Sequence, residues 1–381
     1  MDESLILLFG VIVLALVFDY INGFHDTANA IATVVSTGVL PPRTAVGMAA
    51  LFNFGGAFLG VGVAQTIGGD IANPASITLV VVMAALCGAI VWNLITWYFG
   101  LPSSSSHALV GGIIGAVLCH RVVYEKGEFG SNLWALVDSD GSRKVIEGLI
   151  FSPICGLVMG FLIMIGLLWI VRRMAPTRIN RGFKHLQLVS ASLMALSHGS
   201  NDAQKSMGII TMALIGYYAA HPAHAVSVHV IDLAAWQNHQ KMVIPVWAIA
   251  ACATAMALGT AAGGWRIMKT MGHKIIKLKP INGFAAETAG ALVILGATHL
   301  NAPVSTTHVI SSSIMGVGSS NRASAVRWGI AGNIVVAWIL TIPVAAVIAA
   351  LLYLVFHYFL GSGVTPPPPE ALHAAAAATG L

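Results

Sequence analysis

Two aspartates stand where a carboxylate is costly to place. Asp26 lies in NGFHDTANA, residues 22–30, and Asp202 in HGSNDAQKS, residues 198–206, each midway along an apolar stretch. An ionised side chain at that depth is usually tied to an ion, a cavity or a substrate path. On a helix Asn22, Asp26, Asn29 and Thr33 share one face, and His198, Asp202 and Lys205 share another. Asn22, Asp26, Asn201, Asp202 and Lys205 therefore form a group suited to binding or relaying a cation or proton. The plainer alternative is a polar seam that hydrogen-bonds neighbouring helices. Gly23 and Gly199 suggest local unwinding beside each aspartate, which would free backbone carbonyls for a cation.

A second pair of motifs has the opposite chemistry. PSSSSH at residues 102–107 and PVSTTH at residues 303–308 both fit P-x-S-[ST]-[ST]-H. They read as helix starts, with Pro near the first turn and hydroxyls that can cap exposed N–H groups. Two such starts facing each other would offer N–H groups, hydroxyl donors and positive dipole ends to a multivalent anion. His107 and His308 are expected to lock each turn by hydrogen bonding. Apart from Arg327 at the edge of the last one, no arginine lies in an apolar stretch, and neutral hydroxyls suit a carrier that must release its cargo. The aspartates would repel a bare oxyanion, so a cation held between carboxylate and anion is expected, making co-transport the chemistry. Glu287, in GFAAETAG, is a further candidate proton or cation carrier, and Asn53, in LFNFGG, a further polar residue at depth. His221, His224, His229 and His239 are read as incidental, and no resident metal or other cofactor is expected.

The elements that carry these motifs follow from composition. Of 381 residues 57% are hydrophobic and only 9% charged, with a mean hydropathy of +0.84. A soluble domain carries roughly a quarter charged residues, so soluble enzymes, disordered chains and nucleic-acid binders are excluded first. At roughly 20 residues per crossing the chain has room for about nine to twelve, as an all-α polytopic bundle of about 10–12 helices and half-helices. The apolar stretches fall near residues 4–38, 44–68, 77–99, 109–119, 147–171, 186–219, 243–264, 284–299 and 326–360. The last is interrupted by Pro343, which leaves one kinked span or two short ones. Gly111 and Gly115 mark a close helix approach. The four cysteines are scattered and are read as small buried apolar residues.

Charge placement orients the chain. Ten of the 19 basic residues sit in two loops, Arg172, Arg173, Arg178, Arg181 and Lys184 in one, Arg266, Lys269, Lys274, Lys277 and Lys279 in the other. By the positive-inside rule both are cytoplasmic, which puts the N-terminus outside the cytoplasm. The motif pairs recur in one order, at offsets of 176 and 201, with TIGGDI (66–71) matching TMGHKI (270–275) between them. One of those loops is acidic at Asp70 and the other basic, so the halves are expected to be inverted in topology, as in secondary transporters. The expected organisation is a first repeat at 1–120, a connector with one span at 121–185, a second repeat at 186–325, terminal span or spans at 326–360 and a flexible tail at 361–381.

These paired motifs resemble the inorganic phosphate transporter (PiT) family over nearly the whole chain. NGFHDTANA and HGSNDAQKS are similar to its duplicated Asp signature, and PSSSSH and PVSTTH to its hairpin tips. NDAQK and FNFGG look most like the bacterial low-affinity carriers, which take up phosphate with protons, often as a neutral metal-phosphate complex. The resemblance implies phosphate held by Ser104, Ser105, Ser106, Ser305, Thr306 and Thr307 with Asn29 and Gln204, coupling through Asp26 and Asp202, a homodimer, and residence in the bacterial inner membrane. Sodium-coupled members carry an acid where Asn53 stands and no lysine at Lys205. Proton coupling is therefore favoured, with sodium the alternative, and the Lys205 ammonium would replace a bound cation in one half of the site. Two rival classes are an anion channel using the same dipole-lined site and an intramembrane hydrolase. The hydrolase is disfavoured because each polar motif has a counterpart and no GxSxG elbow is present.

Overall fold

The structure, a computed structural model, describes residues 3–69, 77–123, 126–137, 140–221 and 243–361. Asp70, His224, His229, His239 and nearly all of the expected tail lie outside the described residues. The described residues are helical throughout, with no strand. In order they form α1 (Glu3–Ser36), α2 (Pro42–Gly56), α3 (Gly62–Gly69), α4 (Leu79–Phe99), α5 (Ser105–Val123), α6 (Phe129–Val137), α7 (Asp140–Val171) and α8 (Pro176–Ala220). After these come α9 (Val246–Ala262), α10 (Trp265–Lys269) with a π-helical turn (Thr270–Lys274), α11 (Pro280–His299), α12 (Thr306–Asn321) and α13 (Trp328–Leu360).

Local chemistry explains the boundaries. Thr78 caps α4 by accepting from the Val81 N–H at 3.2 Å, and Gly100 ends it in the left-handed region at φ 65°. Pro42, Pro176 and Pro280 open α2, α8 and α11 at positions where a missing N–H costs nothing. α1, α4, α5, residues 146–171 of α7, α11 and α13 are long and apolar enough to cross a bilayer, and α9 with the following segment, bent by 58°, forms a broken span or a re-entrant loop. Large apolar side chains such as Leu162, Trp169, Ile339, Leu351 and Phe359 are exposed on α7 and α13, as on helices whose solvent is lipid. The chain is a multi-pass membrane protein.

Several boundaries differ from the sequence expectation. α13 runs unbroken through Pro343 as one helix. α8 is 45 residues long and starts at Pro176, so the expected boundary at 185/186 falls inside a helix, with Arg178, Arg181 and Lys184 exposed on its first turns. The stretch at 44–68 is two helices, and α12 has no counterpart among the apolar stretches because Ser311, Ser312 and Ser313 interrupt its hydropathy. Among the cysteines only Cys252 is buried, and Cys155 is exposed.

The two sets of motif-bearing helices exchange partners. α1 packs along α9 while α8 packs along α2, and α5 packs on α13 while α12 packs on α7. Glycine permits each exchange. A Cβ on Gly23 would strike the Met256 carbonyl and one on Gly259 the Tyr20 carbonyl; on the other side Gly199 meets the Asn53 backbone and Gly56 the Leu196 carbonyl. Gly111 and Gly115 bring α5 against Ile342 and Ala346 of α13, as their spacing suggests. The expected unwinding at Gly23 and Gly199 is not found. α1 and α8 continue through both, because the missing side chain is used for backbone contact between helices.

Replacing Gly199 by Val should therefore cost more than the roughly 1–3 kcal/mol typical of overpacking, since the obstacle is backbone. Gly216→Ala, which meets nothing within 4 Å, should be neutral or slightly stabilising. Thermal unfolding of the two variants in detergent checks the contrast, and equal melting temperatures would rule out the contact as a packing constraint.

Candidate functional site

The partner exchange brings the polar faces of α1 and α8 to the N-terminus of α12. Asp26, Asp202 and Lys205 are all buried, at 2%, 0% and 1% exposure. The Asp26 Oδ1 lies 2.6 Å from His25 Nδ1, and its Oδ2 accepts from the Thr307 hydroxyl at 3.2 Å. Asp202 Oδ1 is ion-paired to the Lys205 ammonium, one turn along α8, and its Oδ2 accepts from the Thr306 hydroxyl at 3.1 Å. Asn29 donates to the Thr307 hydroxyl at 2.9 Å, so one side chain of α1 spans to the same tip. Two adjacent threonines of one helix start thus answer the two aspartates, one each.

The histidines tighten this arrangement. His198 Nε2 lies 3.1 Å from Asp202 Oδ2, and its Nδ1 faces the Asn53 side-chain oxygen at 3.1 Å, while Asn53 donates to Thr260 at 2.9 Å. Asn53 is therefore an orienting residue that fixes the His198 ring. His25 Nε2 reaches Thr96 at 3.1 Å, and Ser103 donates to Thr96 at 2.8 Å, tying α1 to the segment before the first tip. One ligand atom each of Asp26, His198 and Asp202 lies within 4.8 Å of the others, close enough to share a cation. With neutral histidines the two carboxylates outnumber the single ammonium by one charge, so the centre favours a further positive charge.

The tips are built as their residues suggest. Ser104 accepts from the His107 N–H and Ser305 from the His308 N–H, both at 3.2 Å, as N-caps of α5 and α12. The expectation that His107 and His308 lock the turns by hydrogen bonding is corrected. Their rings stack on each other with centroids 4.9 Å apart, and His308 stacks on Trp338 at 4.1 Å. Among the described residues, neither ring nitrogen of His308, nor Nδ1 of His107, has a hydrogen-bond partner. The Trp338 indole N–H donates to the Pro102 carbonyl at 3.0 Å, so α13 clamps both tips together. The stack replaces the hydrogen bonds because two helix starts meet, which no single motif reveals.

Other expected residues divide. Asn22, Ser105 and the Asn201 oxygen are buried without hydrogen-bond partners among the described residues, and Ser106 follows Ser105 in the first turn of α5. Asn201 donates instead to Thr298 at 3.0 Å. Gln204 is engaged by the start of α3 and by its own helix. Its oxygen accepts from the Val63 and Ala64 N–H groups at the start of α3, and its nitrogen donates to the Ser200 carbonyl at 2.5 Å. Glu287 forms a separate centre, accepting from Thr33 at 2.5 Å and Gln187 at 2.9 Å on one oxygen and Ser190 at 2.5 Å on the other. Thr33 is seven residues from Asp26, about 10 Å along α1. His25, Ser103, Thr96 and Trp338 were outside the sequence expectation; only His25, beside Asp26, carried a signal.

Comparison with known proteins gives concordant findings. The profile of the phosphate transporter family matches residues 22–349. The chain is 48% identical over 358 residues to a probable low-affinity inorganic phosphate transporter of Rhizobium meliloti, covering 93% of this chain and 98% of that one. It is 46% identical over 359 residues to a protein of the same description from Bacillus subtilis, covering 94% and 99%. Among solved structures it is similar to one titled "The sodium-dependent phosphate transporter", with a TM-score of 0.68 at 23% identity, over 93% of this chain and 100% of that chain; this likeness is one of fold.

The Asn53 bridge predicts a stability effect independent of activity. Asn53→Leu keeps the shape but removes the partner of the Thr260 hydroxyl and of His198 Nδ1, and should cost about 1–3 kcal/mol. Thermal melting of the purified variant measures it, and an unchanged melting temperature would remove Asn53 from the relay.

Proposed function

The chain belongs to the phosphate transporter family, and from that premise we propose that it imports inorganic phosphate by symport with protons across a bacterial cytoplasmic membrane. The observation that carries this reading is that the Thr306 and Thr307 hydroxyls donate to Asp202 and Asp26. The groups best suited to an anion are thereby the donors that the carboxylates use. An oxyanion taken up at the two helix starts, by Ser104, Ser105, Ser106, Ser305, Thr306 and Thr307 with Asn29, competes with the aspartates for these hydroxyls. Each aspartate so deprived needs a proton or a cation in exchange, and this links the two cargoes.

Lys205 bears on which ion that is. Its ammonium supplies Asp202 with a tethered positive charge, so a mobile sodium ion is superfluous in that half. Asn22, Asp26 and Asn201 complete the coupling group, with Glu287 in a supporting role beside it. The convergence of Asp26, His198 and Asp202 favours one second reading, in which phosphate arrives as a neutral complex with a divalent metal that these residues touch in passing. The proposal includes an inverted relation between the halves, an N-terminus outside the cytoplasm and assembly as a homodimer.

Uptake into proteoliposomes, with pH, sodium and divalent metal varied independently, tests the reading. Accumulation against a gradient that collapses with an uncoupler is expected; downhill flux alone would favour a channel, and stimulation by sodium alone a sodium symporter. Asp26→Asn and Asp202→Asn should each lower uptake at least about a hundredfold with protein still in the membrane. Lys205→Asn should cripple uptake, or restore it only with added sodium. Unchanged uptake and ion dependence in that variant would overturn the tethered-cation role.

A further inference from the structure

Asp19 is a buried acid that the transport chemistry above does not use. It lies three residues before Asn22 and seven before Asp26, so Asp19, Asn22, Asp26, Asn29 and Thr33 form one polar stripe along α1. The residue is 0% exposed, no cation is paired with it among the described residues, and its carboxylate makes no well-aligned hydrogen bond there, with only the weak donors Ser206 and Cys252 beside it. The other acids of the bundle are answered. Asp26 has His25 and Thr307, Asp202 has Lys205 and Thr306, and Glu287 has three donors.

What faces Asp19 is specific. Ser206 of α8 and Cys252 of α9 adjoin it, and Lys205 and Asp202 of α8 lie within electrostatic reach. Apart from Asp19 itself, the Ser206 hydroxyl and both polar atoms of the Asn22 amide have no partner among the described residues. α4, which also packs on α1, carries no acid, lysine, arginine or histidine, and α9 has only Cys252. From α5 the group within reach of Lys205 is His107. Glu287 bonds Thr33, fourteen residues along the stripe, about 21 Å away. An ionised carboxylate with only a hydroxyl and a thiol beside it and no paired counter-charge is costly in an apolar interior, which favours a proton on Asp19 or an ammonium brought to it. The ammonium of Lys205, paired with Asp202, is the cation whose charge also acts on Asp19.

We propose that Asp19 carries the coupling proton, holding it while Lys205 pairs with Asp202 and releasing it when the ammonium turns to Asp19. The step breaks one O–H bond; the proton passes to water on the cytoplasmic side, and Asp19, Lys205 and Asp202 together go from net zero to one negative charge. Reloading from the outer side reverses it. The inference rests on the reading of proton-coupled phosphate import, and adds to it which carboxylate moves the proton.

The test separates exchange from net transport. In proteoliposomes, phosphate–phosphate exchange requires no net proton movement, whereas pH-gradient-driven uptake does. Exchange of labelled phosphate by the unaltered protein tests the functional reading by itself; if it is absent, that reading fails whatever Asp19 does. Given exchange, Asp19→Asn should retain it and lose gradient-driven accumulation at least about tenfold, together with the proton influx reported by an entrapped pH dye. Asp19→Glu should keep both, with a displaced pH profile. Concentrative, proton-accompanied uptake by Asp19→Asn would overturn the proposal, as would loss of exchange and accumulation alike in folded Asp19→Asn. If Asp19→Asn does not fold, the Asp19→Glu profile decides, and one superimposable on the unaltered protein's overturns it.

Discussion

A carboxylate inside a lipid-facing bundle has to be answered by donors or by a positive charge, and the centre of this protein is organised around that requirement. Asp26 and Asp202 could have been satisfied locally, within their own helices. Each is in part, Asp26 through the adjacent His25 and Asp202 through Lys205 on the next turn. Their remaining oxygens are answered by Thr306 and Thr307, more than a hundred residues away in sequence from either aspartate. The folded arrangement of α1, α8 and α12 is therefore a condition for burying these charges at all.

The backbone contacts make that convergence possible. Gly23 with Gly259, and Gly56 with Gly199, let α1 and α8 lie directly against α9 and α2. This brings the polar faces within reach of short side chains. Above them the His107–His308–Trp338 stack and the Trp338–Pro102 hydrogen bond hold the two capped helix starts side by side. Rigid helices meet at glycine and the tips meet at aromatic rings.

Much of the centre was legible in the sequence because it is written in repeated spacing. The aspartates, the hydroxyl runs, Lys205 and the small-residue pair at Gly111 and Gly115 all recur at helical or duplicated intervals. What was not legible depends on neighbours from distant segments. Gly23 could unwind a helix or admit another backbone, and only α9 decides between them. Gln204 stands two residues after Asp202 yet caps α3, and His308 stacks where a hydrogen bond was expected because a second tip arrives beside it. Ser311, Ser312 and Ser313 concealed α12 from a hydropathy reading, since they face protein and not lipid. Asp19 escaped for a different reason: its counterpart at offset 176 is Ala195, so the duplication that exposed Asp26 gave no signal there.

The exchange of partners also bears on how such a chain is made. α1 carries Asp19, Asn22 and Asp26 on a face that packs against α9 and α8 as well as α4, so when α1 to α5 have left the ribosome part of the protein that covers this face is still to come. The first half is thus a half in sequence only. Its inserted helices must wait in the bilayer, with acids turned toward lipid or one another, until synthesis has passed residue 262. A quality-control protease scanning for unpaired polar residues in membranes would find its target throughout that interval.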